Sequence, residues 1–176
     1  MGVVSSLVAW LARGFVSRSR LAKCVALAFL CACGVDAAPL RVANPDADRF
    51  ANEAYPVLLR DCGFPACHGA TDRFFRVFGP GRARLPAVMA PDPGDPATAD
   101  EIAQSYNRAR SMIDANAPAR SLLLRKPLAV EAGGAGHKGD DSLGRNVYAS
   151  TADPGFQVLR AWVLGQPTPV GVGAMP

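Results

Sequence analysis

Apolar positions along this chain recur mostly at helical spacing. In "DADRFANEAYPVLLRDC", Phe50, Ala54, Val57 and Leu58 follow one another three or four residues apart or side by side, and Asp46 or Asp48 stands where a helix cap belongs. Pro56 interrupts that stripe, so the pattern predicts a helix proper running from Pro56 to Cys62. "ADEIAQSYNRARSMIDAN" is the strongest helical segment. Ile102, Tyr106, Ala109 and Ile113 mark its apolar stripe, and Asn116 before Pro118 marks its end. Thr98, with Glu101 three residues on, forms a capping box. "PARSLLLRKPL" reads as a short helix. The last helix is well punctuated, with Asp153 as cap, Pro154 in the first turn and Gly165 as the stop, and Phe156, Leu159, Trp162 and Val163 share one face.

Two segments lack this periodicity. "FGPGRARLPAVMAPDPGDPATAD" is rich in Pro, Gly and Asp, and residues 129–150 are Gly-rich. No stretch sustains strand alternation and no internal repeat is present. The fold class predicted is mostly α, a small helical domain with long Gly/Pro-rich loops. Such loops return little for their ordering entropy, so a large buried apolar group would help to hold them.

Charge changes the picture mainly at the N-terminus. The formal net charge is +4, but Arg13, Arg18, Arg20 and Lys23 precede Cys33 with no acid among them. Setting those four aside leaves 15 basic and 15 acidic residues. A near-neutral body lacks the basic face that displaces counterions from phosphates, so no nucleic-acid partner is expected.

The basic leader runs into "CVALAFLCAC", an apolar run too short to span a bilayer as a mature helix. Leu30, Ala32 and Cys33 supply an aliphatic residue, a small residue and a thiol in the order that resembles a bacterial lipoprotein signal. That resemblance implies lipidation at Cys33 and a lipid anchor to the membrane. Plain secretion, with cleavage near Gly34–Pro39 where Ala37 and Ala38 are small, and a retained anchor are the alternatives. Each puts the body on the periplasmic side of the cell envelope. The expected organisation is a signal peptide over 1–32, a linker over 33–45, a folded domain over 46–166 and a flexible tail over 167–176.

On the lipoprotein reading Cys24 and Cys31 leave with the leader and Cys33 takes the lipid, so Cys62 and Cys67 are the remaining thiols. They flank "GFPA", and His68 follows directly. A covalent haem site usually reads Cys-x-x-Cys-His, and here four residues separate the thiols. On an ideal helix five steps turn the chain by about 500°, leaving the two thiols about 140° apart. Gly63 and Pro65 suit a bulge that relieves this. A haem, a Cys62–Cys67 disulfide, and a metal site drawing on Cys62, Cys67, His68 and His137 all remain open from these residues. Gly133-Gly134-x-Gly136 reads as a flexible loop, because no strand leads into it. In "DRFFRVFGPGRARL", Phe74, Phe75, Val77 and Phe78 are expected in the core with the arginines outside.

Cys67-His68-Gly69 with Cys62, followed in order by "SLLLRKPL", the Gly133–Gly139 segment with His137, and Leu159-x-x-Trp162 ending at Gly165, resembles the c-type cytochrome family. The likeness covers roughly residues 50 to 166 and implies a cytochrome c-like domain carrying haem c. It implies Cys62 and Cys67 as covalent anchors and His68 as proximal iron ligand. It implies a distal ligand from a later loop: His137 first, then Met89, with Met112 expected in the core and Met175 at the terminus. The function implied is membrane-tethered electron transfer with redox protein partners in the envelope. No constellation for independent catalysis is visible, because both histidines are already in use. The alternative is a non-redox binding or structural lipoprotein module built on a Cys62–Cys67 loop.

Overall fold

The computed structural model describes residues 41–86, 92–137 and 147–171. The leader, Cys33, Met89 and Met175 lie outside them. Among the described residues the architecture is mostly helical, with isolated β-bridges in place of strands. No described helix is long and apolar enough to cross a membrane.

The first helical stretch is continuous where Pro56 predicted a break. It comprises α1 (Ala47–Arg49), a π-turn (Phe50–Ala54) and α2 (Tyr55–Asp61). Asp46 caps it by accepting from the Arg49 N–H at 2.8 Å. The Tyr55 N–H reaches back to Phe50 O, an i→i+5 bond. That wider turn just before Pro56 lets the proline ring enter the second position of α2 without striking the preceding turn.

α3 (Ala99–Arg110) starts on the expected capping box. The Glu101 N–H donates to Thr98 Oγ1 at 3.2 Å, and the Thr98 N–H donates to Glu101 Oε2 at 3.0 Å. It ends at Arg110, before the predicted Asn116, and its most buried residues are Glu101, Ser105 and Ala109. Ile102 and Tyr106 are only partly buried. The stripe is rotated because Glu101 turns inward to meet Arg84, whose Nε and Nη2 donate to its two oxygens at 2.8 and 2.9 Å. The same guanidinium donates to the carbonyls of Asp92, Asp95 and Pro96, so one arginine gathers the Pro-rich loop.

A 3-10 turn (Pro118–Arg120) leads into α4 (Leu122–Arg125), and a second 3-10 turn spans Val130–Ala132. α5 (Pro154–Leu164) closes the core and stops at Gly165, whose φ of 63° is the left-handed conformation that a β-carbon disfavours. Phe156, Leu159, Trp162 and Val163 are all buried, as the spacing predicts. Trp162 is fully buried against Phe50 at 5.0 Å between ring centroids, and its Nε1–H donates to Asp46 O at 2.8 Å. One core therefore joins the first and last helices.

Hydrogen bonds from the helices also reach residues of the expected linker and tail. Tyr106 donates to Pro45 O at 2.8 Å, and Arg49 Nη2 donates to Thr168 Oγ1 at 3.1 Å.

Candidate functional site

The cysteine-histidine segment begins where α2 ends. The N–H groups of Cys62 and Gly63 both return to Leu58 O, at 3.0 and 2.8 Å. The chain then leaves the helix in a tight loop. The N–H groups of Cys67 and Gly69 both donate to Phe64 O, at 2.8 and 3.0 Å, and the His68 N–H donates to Cys62 O at 3.1 Å. The bulge predicted around Gly63 and Pro65 is present, and it brings the residue after the second thiol back onto the first. Outside the loop, the N–H of Val77 donates to His68 O and that of Ala83 to Gly69 O, both at 2.8 Å. His68 is thus held by backbone bonds on both sides.

Its ring is fixed as well. Nδ1 lies 2.9 Å from Phe75 O, and the Phe75 ring packs against the imidazole at 4.7 Å between centroids. With the proton on Nδ1 donated to that carbonyl, Nε2 keeps its lone pair. Burial pushes the His68 pKa below its ordinary value, with a further contribution from nearby His137, and outweighs the opposing bond to Phe75. The imidazole is therefore neutral near pH 7, the form that ligates a metal.

His137 comes to the same place from the Gly-rich loop, with its ring centroid 5.8 Å from that of His68 and 72° between the planes. The segment before it is tightly wound. The Gly134 N–H donates to Ala129 O at 2.9 Å, the Ala135 N–H to Arg125 O at 2.8 Å, and Lys126 Nζ to Gly136 O at 3.2 Å. This part of the loop, expected to be flexible, is held at each of those points. Gly134 is required, because a β-carbon there would sit 1.8 Å from Leu128 O.

Cys62 and Cys67 are free thiols, the first buried in the core and the second half-buried. Burial, reinforced by Asp61 and Cys67, pushes the Cys62 thiol up to about 12, so it is protonated at neutral pH. Arg82 underlies the loop between Gly63 and Gly69. Its guanidinium covers the Phe64 ring at 5.4 Å, and its buried Nε has no hydrogen-bond partner. Of the aromatic run, Val77 and Phe78 are buried and Phe75 is partly buried, but Phe74 is 72% exposed. The expectation of a core Phe74 is corrected: Phe75 takes the inward position against His68, and its predecessor is left outside with Arg108 over its ring at 5.8 Å.

These donors discriminate between metal groups. A tetrahedral ion needs three or four donors within about 2.0–2.3 Å of one point. Among the described residues no three His, Cys, Asp or Glu side chains converge in that way. A covalent haem divides the same donors, with imidazoles on the metal and thiols at the rim. Two imidazoles sharing one metal, each nitrogen about 2.0 Å from it, put their ring centres a little over about 6 Å apart. The separation of 5.8 Å comes within about half an ångström of that demand, and neither thiol is held in a disulfide. Of the other candidate distal ligands, Met112 packs against the core as expected, and Met89 and Met175 lie outside the described residues.

The sequence reading missed Phe75 as the carbonyl that orients His68, and it missed Asp61, whose Oδ2 accepts from the Tyr148 hydroxyl at 2.9 Å beside Cys62. Aromatic residues after the motif were a usable signal for the first. No signal marked the second, because the pairing is between residues far apart in the chain. No family model matches this chain, and no match was found among curated proteins or solved structures.

Proposed function

We propose that the chain is a c-type haem electron-transfer protein of the cell envelope with a cytochrome c-like domain. His68 and His137 would hold its iron, Cys62 and Cys67 would be its covalent anchors, and Cys33 its lipid-bearing tether. The observation that carries this reading is the pairing of the two histidine rings at 5.8 Å, reached from two separate loops. Haem c bound here would supply a one-electron iron couple.

The chain's own residues do the rest. Phe75 O holds the His68 ring and its tautomer. Burial keeps that imidazole neutral. Cys62 presents a thiol from inside the core, and Cys67 presents one from the half-exposed bulge. Gly134 and Lys126 shape the turn that delivers His137. Phe64 and Phe74, both exposed and both covered by an arginine, give the outer surface around the motif a cationic and aromatic character suited to a redox protein partner.

The deciding experiment is co-expression of the full chain with a haem-maturation system, removal of non-covalent haem, then visible spectroscopy and intact mass. The proposal expects a Soret band that survives denaturation and a mass increased by one haem, both lost in Cys67→Ala. A colourless protein two hydrogens lighter than its dithiol form would instead establish the disulfide-bonded module.

A further inference from the structure

Tyr148 joins two parts of the chain that lie far apart in sequence. Its backbone closes the base of the loop that carries His137: its N–H donates to Pro127 O and its carbonyl accepts from the Ala129 N–H, each at 2.9 Å. Its hydroxyl donates to Asp61 Oδ2 at 2.9 Å. Asp61 is the last residue of α2, and Cys62 follows it.

The surroundings leave this bond little freedom. Tyr148 is 4% exposed and packs edge-on to Phe156 with ring centroids 6.0 Å apart. A β-carbon at Gly155 would lie 2.5 Å from Asp61 Oδ2 and 2.8 Å from the Tyr148 hydroxyl, so the helix backbone presses directly on the pair. Arg60 Nη2 holds the same carboxylate oxygen from outside at 2.7 Å. The bond is charge-assisted and part-buried, which makes it stronger than a neutral surface bond. The bonds of Gly134, Ala135 and Lys126 shape the His137 turn against its own flank, Arg125–Ala129. The Tyr148 hydroxyl adds a polar link from that flank to the cysteine helix, beside the core packing of Leu128.

We propose that the Tyr148–Asp61 hydrogen bond keeps the His137 loop in register with the Cys62–His68 segment, making Tyr148 a positioning residue for the distal ligand. The ligand role of His137 rests on the haem reading above, and the mechanical tie does not. Tyr148→Phe removes one oxygen and keeps the ring. In haem-free protein it speeds amide hydrogen exchange at Ala129 and Tyr148, whose N–H groups bond between Tyr148 and that flank, by about tenfold. In haem-loaded ferric protein it raises the rate of cyanide binding, which must displace His137, by a similar factor toward that of His137→Ala, while the covalent haem mass is unchanged.

Asp61→Asn keeps an acceptor and has a smaller effect, and Asp61→Leu reproduces Tyr148→Phe. If Tyr148→Phe does not fold, the two Asp61 variants make the same comparison. Wild-type exchange, or a wild-type cyanide rate, in the hydroxyl-deleted protein overturns the tie. Failure of the wild-type chain to take up covalent haem removes the electron carrier, and the exchange experiment still judges the tie.

Discussion

Gly69 lies against the carbonyl of Gly63: a β-carbon at position 69 would sit 2.1 Å from that oxygen and 2.8 Å from Arg82 Cδ. Two strands of one loop touch here through bare backbone, and the contact closes the bulge between the thiols. The neighbour is backbone and cannot step aside as a long side chain can. Gly69→Ala therefore reopens the loop, with a loss of about 3 kcal/mol in urea unfolding of the haem-free protein and a fall in covalent haem yield. Wild-type stability together with wild-type yield would show that the loop tolerates a wider bulge.

Replacing His137 tests the distal ligand directly. On the proposed haem reading, His137→Ala leaves both thiols and His68 in place, so covalent attachment is expected to persist. The iron would lose one imidazole, and the ferric absorption spectrum is expected to change from a low-spin to a high-spin form. Added imidazole restores the first spectrum. A wild-type spectrum in this variant assigns the sixth position to another residue, Met89 first.

Glu101 makes stability depend on acid. Burial works to raise its pKa, but bonding from Arg84, with N–H donation from Thr98 and Leu85, outweighs this and holds the carboxyl below the usual carboxylate value. A folded-state pKa below the unfolded one means that the unfolded chain takes up the proton first. The contribution is complete above about pH 4.5 and is lost as pH falls through the depressed folded value. Denaturant titrations of wild type and Glu101→Gln should therefore converge at low pH, and curves that stay parallel across that range would contradict the assignment.

Trp162 ties the first helical stretch to the last. Trp162→Ala removes a fully buried ring that packs on Phe50 and also deletes the donor to Asp46 O. A loss of about 4 kcal/mol follows from the cavity and the unpaired carbonyl together, read from urea unfolding. Trp162→Phe recovers part of the packing and should fall between the two.

Much of the helical framework was legible locally. Thr98 and Glu101 announce their capping box, Pro154 and Gly165 bracket α5, and Phe156, Leu159, Trp162 and Val163 mark its buried face, because caps and amphipathic stripes act within a turn or two of backbone. Pro56 misled because its local effect is to break a helix, while the π-turn that absorbs it depends on how Phe50 and Ala54 pack in the core. The inward rotation of α3 was equally hidden, since it follows from Arg84 reaching Glu101 across a loop.

Residue order alone established that two thiols and a histidine stand together and that a bulge must separate the thiols, for bond geometry and helical pitch act on neighbours. Which carbonyl would hold His68, and that Asp61 and Tyr148 would meet beside Cys62, were settled by folding. Those contacts join segments that no short-range rule relates, and their positions come from packing the whole core at once.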